Sequence, residues 1–251
     1  MKCLIALLTV GFCSLAANAD WIDEFSGGTP QQVWTFGGLP NNNFTPVYSP
    51  NNNGYLELGS ASAVGVGPAA IFGFVQKESF TPWVSVRTSL NPNGSALLTR
   101  DIGVLAHLNP VQLTGYAFTI DYQNGDIDLT RINAGGAVQG LITGSITGFS
   151  RTASYDLQLT VSSGNLVGQV FNSSGGLITS IQASDTAYTS GFAGIVASRD
   201  TSDPTLLGTF GSVSAVPEPS SLLAVLSVVG TFAINARYRR KRALLRRRES
   251  Q

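Results

Sequence analysis

The chain has 251 residues, 28 of them glycine, with only 12% charged side chains and acids and bases in equal number. A 43% hydrophobic share is ample for a core and excludes wholesale disorder, while the scarcity of Lys, Glu and Met disfavours helices. The neutrality is a cancellation: thirteen acidic and six basic residues lie between Asp20 and Val216, and eight basic ones lie between Arg237 and Arg248. An acidic body repels phosphate, so nucleic acid is excluded as its partner.

Met1-Lys2 opens the chain with a positive charge, and an apolar run from Leu4 to Ala16 follows. Ala17-Asn18-Ala19 then sets small residues, Ala17 and Ala19, at the two positions a signal peptidase reads. Residues 1–19 are therefore expected to be a secretory signal peptide cleaved after Ala19. Phe12 before Cys13 is too bulky for lipoprotein processing. Both cysteines, Cys3 and Cys13, precede the cut, so the body has neither disulfides nor thiolate metal sites.

From Asp20 to Ala215, turn signals recur at Asn53-Gly54, Asn93-Gly94, Asn124-Gly125, Gly135-Gly136, Ser163-Gly164-Asn165 and Ser174-Gly175-Gly176. Glycine and asparagine supply the positive φ that hairpin turns need. Between the turns, Tyr55–Leu58, Trp83–Arg87, Tyr116–Tyr122 and Asp126–Leu129 read as strands. Tyr155–Val161, Leu166–Phe171 and Leu177–Ile181 read as a three-stranded antiparallel meander, with Leu157, Leu159 and Val161 on one face at period two. Ser190–Ala197 and Leu206–Ser214 supply the closing strands. Many short strands and no long amphipathic helix predict an all-β fold, an antiparallel sandwich or jelly roll over residues 20–215.

The block from Tyr155 to Val161, the Gly175-Gly176 turn, Ser190-Gly191-Phe192-Ala193-Gly194 and Phe210 to Val213 resembles the C-terminal half of concanavalin A-like lectin and glucanase domains. Asp23-Glu24-Phe25-Ser26 looks like the opening strand of such domains, with Trp34 at the first core position. The resemblance implies a fold that hosts lectins, glycosidases and inert modules alike, so function has to be argued from a site.

Candidate chemistry in the body is sparse, and no catalytic residue is assigned. Asp126-Ile127-Asp128 puts two carboxylates on one strand face and distantly resembles the acidic strand of the family's β-glucanases. In that family a glutamate opens the motif and another continues it, where this chain has Asp126 and then Leu129-Thr130. Asp121, Asp126 and Asp128, with Asn124, gather oxygen ligands around one turn and make calcium the one candidate cofactor. The alternative is plain turn chemistry, and the same holds for Asp200 and Asp203. His107 is the only histidine, which removes paired-histidine zinc chemistry. It is read as a strand residue beside the Leu108-Asn109-Pro110 turn. Trp21, Trp34, Trp83, Tyr48, Tyr116 and Tyr122 are either core residues or platforms for sugar rings.

A second apolar run spans about residues 220–236, the lower limit for crossing a bilayer as a helix. Arg237, Arg239, Arg240, Lys241, Arg242, Arg246, Arg247 and Arg248 follow, and the positive-inside rule holds them cytoplasmic. Pro217-Glu218-Pro219 stands just before the span. Residues 216–251 thus resemble the PEP-CTERM sorting tail of Gram-negative bacteria, with motif, span and basic end in order. The resemblance implies processing by an exosortase near Pro217-Glu218-Pro219 after transient anchoring in the inner membrane. It also implies delivery to the cell envelope, the cell surface or an exopolysaccharide matrix. The expected function is that of an exported noncatalytic module with extracellular polysaccharide as its ligand. A glycoside hydrolase or lyase and a purely structural envelope protein are the alternatives.

Overall fold

A computed structural model describes residues 21–25, 30–38, 46–51, 55–60, 69–76, 80, 83–90, 101–199 and 207–217. The signal peptide with Ala17 and Ala19, the motif residues Glu218 and Pro219, the 220–236 span and the basic end all lie outside these residues. So do Asp200 and Asp203. Among the described residues no helix is long and apolar enough to cross a membrane.

The described chain is an all-β antiparallel sandwich of two sheets. The strands are β1 (Trp21–Asp23), β2 (Trp34–Gly38), β3 (Pro46–Asn51), β4 (Tyr55–Ser60), β5 (Ala69–Val75), β6 (Trp83–Leu90), β7 (Asp101–Asn109) and β8 (Thr114–Asp121). They continue as β9 (Asp126–Asn133), β10 (Ala137–Ser145), β11 (Tyr155–Ser162), β12 (Asn165–Asn172), β13 (Leu177–Ser184), β14 (Phe192–Arg199) and β15 (Leu207–Pro217). One sheet runs β13-β12-β11-β6-β15-β4-β3, with β1 also pairing β15. The other runs β10-β9-β8-β7-β14-β5-β2.

The expected meander is present as β11, β12 and β13, paired antiparallel. Its first hairpin turns on Ser163 and Gly164, at φ 48° and 86°. Both central residues of this two-residue turn have positive φ, which matches the twist of the flanking strands. The opening strand is shorter than Asp23-Glu24-Phe25-Ser26 suggested. β1 ends at Asp23, and Phe25 follows with φ 50° because the chain turns there around the Asp23 carboxylate.

Period-two alternation fills the space between the sheets. Ile102, Val104 and Ala106 of β7, Tyr116, Phe118 and Ile120 of β8, and Leu157, Leu159 and Val161 of β11 belong to one buried cluster. Burying each large member is worth about 1.5–3 kcal/mol. The sheets approach closely where Phe118 lies over Gly168 of β12, whose added Cβ would fall 2.5 Å from the ring. β15 closes the domain by pairing β4 with its first residues, β1 with Val213–Ala215, and β6 from Phe210 to Pro217. It continues through Val216 and Pro217, opposite Ser85 and Val84, so the folded body reaches into the tail expected to begin at Val216.

Candidate functional site

The seven-stranded sheet carries apolar side chains on its inner face and, across β5, β14, β7 and part of β8, on its outer face as well, which is unusual for an antiparallel sheet with one face toward solvent. Leu105, Leu108, Ala117, Val196, Phe72 and Phe74 alternate with the core residues and form a second buried cluster on the outer face. A depression of about 220 Å³ opens over this cluster.

Strand register explains what lines it. One row crosses the sheet as Phe72, Val196, Gly103, Thr119, Asp128 and Thr143, each paired with the next. The adjacent row runs Phe74, Gly194, Leu105, Ala117 and Thr130. On the other side lies Ala70, Ser198, Asp101 and Asp121. Gly103 contributes no side chain to the middle of this surface. No other residue fits there, because an added Cβ would fall 2.0 Å from the Phe118 carbonyl oxygen.

The surface therefore grades from one chemistry to another. Phe72, Val196 and Leu105 make an apolar floor under β5, β14 and β7, while Thr119, Thr130 and Asp128 supply oxygens under β8 and β9. Asp128 Oδ1 accepts the Thr143 hydroxyl at 2.5 Å, and Asp101 Oδ2 accepts the Ser198 hydroxyl at 3.0 Å. A sugar ring has the matching chemistry, with an apolar C–H face and a rim of hydroxyls that donate to carboxylates and threonine oxygens. A second, more open hollow of about 390 Å³ lies among Thr147, Ser150, Tyr155, Asn172 and Ser173, with much less apolar wall.

No protein-family model matches the sequence, and no curated protein matches it. Solved structures do. The carbohydrate-binding module CBM66 from Bacillus subtilis is 13% identical with TM-score 0.50, covering 74% of this chain and 96% of its own. The Ca2+-bound exoplasmic/lumenal domain of VIP36 is 15% identical with TM-score 0.50, covering 77% and 88%. The lectin UEA-II complexed with galactose is 10% identical with TM-score 0.52, covering 79% and 98%. These neighbours are lectin-like and carbohydrate-binding β-sandwiches. At such identities the likeness establishes the fold alone.

The residues expected from sequence fall in several places. Of Asp121, Asp126 and Asp128, only Asp128 lines the depression. Asp121 is buried, and its Oδ1 accepts the Gln123 amide at 2.7 Å. Asn124 Oδ1 accepts the Asp126 amide at 2.9 Å, so this turn carries the side-chain-to-backbone bonds typical of Asx turns. Among the described residues, no three His, Cys, Asp or Glu side chains converge as a metal-holding group. Calcium at Asp121, Asp126 and Asp128 thus remains the expectation of the sequence. Asp126 and Asp128 do share the outer face of β9, where they pair with Ser145 and Thr143 of β10.

Most of the aromatics are structural. Trp21, Tyr116 and Tyr122 are buried in the core, and Trp34 packs against it, edge-on to Trp21 at 5.8 Å. The side chains of Tyr48 and Trp83 are not among those described. Tyr116 belongs to a polar lock on the stretch between β13 and β14. Its hydroxyl donates to Asp185 Oδ1 at 2.8 Å and accepts the Tyr188 amide at 3.0 Å. Burial raises its pKa to about 12. Arg131 Nη1 reaches Asp185 Oδ2 at 2.7 Å. Burial alone would raise the Asp185 carboxyl. The Ala187 amide, the Tyr116 hydroxyl and the Arg131 charge outweigh it and hold the pKa below the usual value.

His107 lies in β7, as expected, and is only 1% exposed. Its Nδ1 is 3.1 Å from the Tyr188 carbonyl oxygen, which can only accept, so Nδ1 carries the proton. Nε2 is then a buried acceptor without a partner. Desolvation lowers the His107 pKa against the opposing pull of the Tyr188 carbonyl.

Proposed function

We propose that this protein is an exported, noncatalytic carbohydrate-binding module that holds polysaccharide on the outer face of its seven-stranded sheet. The depression over Leu105 and Val196 carries the reading, because it joins an apolar floor to a rim of hydroxyls and carboxylates. Two of the structural neighbours add support, one being a carbohydrate-binding module and the other a lectin in complex with galactose. A glycan array probed with the purified protein tests the reading. Binding to one or more polysaccharide classes is the expected result, and a blank array contradicts it.

The setting belongs to the same proposal. The signal peptide delivers the chain outward, and an exosortase processes the tail near Pro217-Glu218-Pro219 after the span has anchored it. Trp21 pairs with Ala215, so the first and last described strands end side by side, next in sequence to both expected cleavage points. One pole of the sandwich would then face the membrane, leaving the sheet faces clear. Mass spectrometry of the envelope-associated protein should give a mature N-terminus at Asp20 and a C-terminus lacking Arg246-Arg247-Arg248. An intact basic end at the surface would make the tail an anchor rather than a processed signal.

A further inference from the structure

We infer that the depression selects hexosamine units with free amino groups over neutral sugars, and excludes uronates. The inference rests on the carbohydrate reading of this face and names the sugar class it takes. Among the described lining residues Asp128 is the carboxylate at the polar end, and none is lysine, arginine or histidine. The whole body reinforces that sign, with thirteen acidic residues against six basic between Asp20 and Val216. A polyuronate approaching this surface meets like charge at long range and again at the contact.

Asp128 is the residue placed to choose. It sits at the polar end of the central row, next to Thr119 and opposite Thr143, while Phe72 and Val196 hold the apolar end. A sugar ring seated on Val196 and Leu105 presents its equatorial substituents toward β8 and β9. An ammonium group there donates to Asp128 as a charge-assisted hydrogen bond, with the Thr119 and Thr130 hydroxyls beside it. A hydroxyl at the same position makes only a neutral-donor bond. An acetylated amine loses the charge and adds bulk, and a carboxylate at the ring edge is repelled.

Calorimetry distinguishes these cases with three probes of equal length: a glucosamine tetramer, its fully N-acetylated form and a galacturonate tetramer. Titrations are run at mildly acidic pH, where the sugar amine is protonated, and at two salt concentrations. The expected order is amine first, about five- to tenfold tighter than the N-acetylated form, with the uronate silent. The margin should shrink at high salt and vanish in Asp128→Asn, which keeps an oxygen for Thr143 and should melt close to the parent. Equal binding of the amine and N-acetylated tetramers, or binding of the uronate, overturns the selectivity and leaves the carbohydrate reading standing. Silence from all three probes together with a blank glycan array removes both.

Discussion

Replacing Asp23 by alanine removes the acceptor of four N–H groups at once. Its oxygens take the amides of Phe25, Gln31 and Gln32 at 3.0, 3.1 and 3.0 Å and the indole Nε1 of Trp34 at 2.8 Å. The carboxylate has no accessible surface, so these bonds replace its hydration entirely. In Asp23→Ala, water can reach the amides of exposed Gln31 and half-buried Gln32. The buried Phe25 amide and the Trp34 indole have no such recourse, and each orphaned donor costs about 1–3 kcal/mol. The expected destabilisation is therefore about 2–6 kcal/mol. Asp23→Asn keeps one acceptor but turns an NH₂ toward the Gln32 amide or the indole, and should cost about 1–3 kcal/mol. Urea melts followed by tryptophan fluorescence measure both. A double-mutant cycle with Trp34→Phe should show a coupling of about 1 kcal/mol, because the pair shares one bond. A loss under about 0.5 kcal/mol for Asp23→Ala, or strict additivity with Trp34→Phe, would refute this account of the N-terminal corner.

Two further predictions concern the polar lock between the sheets. Arg131→Ala strands the Asp185 carboxylate beside the Tyr116 hydroxyl and should cost about 1–3 kcal/mol in a chemical melt. The Asp185 pKa is lowered by folding, so its stabilisation is present above its unfolded value and should drain as pH falls through the folded one. His107 acts at milder acidity. Its folded pKa lies below the unfolded value, near 6.5, so below that pH the unfolded chain binds the extra proton and stability falls. His107→Asn tolerates the φ of 51° and should flatten the urea midpoint between about pH 7.5 and 5.5. An unchanged slope would show that the imidazole is not the group responsible.

Strands with one wet face were legible in the sequence, because alternation survives there. Tyr155–Val161 became β11 and Leu166–Phe171 became β12, each within one residue at either end. Of β7 only His107 was read as strand, for the opposite reason. Val104 and Ala106 face the core while Leu105 and Leu108 face the second cluster, so Asp101–Asn109 has no polar beat to read. That same run was the sequence signal for the depression, since an antiparallel strand apolar on both sides implies that something other than water covers the outer face. Of the lining residues the sequence singled out only Asp128, for its acidic strand. Asp101, Thr119, Thr130 and Ser198 were invisible, because strand register alone brings β7, β8, β9 and β14 side by side. Trp21, Tyr116 and Tyr122 carry the opposite lesson. They are the residue types that stack on sugars, and in this sandwich they fill the core.

Titration of oligosaccharides that score on the array against the parent protein and Thr130→Trp tests the central claim most directly. Thr130 is half-buried at the rim of the depression, so an indole there fills the hollow without entering the core between the sheets. The account predicts saturable binding to the parent, a loss of more than about tenfold in Thr130→Trp and a melting temperature close to the parent's. Undiminished binding in a folded Thr130→Trp protein would place the ligand elsewhere and contradict the assignment of this face.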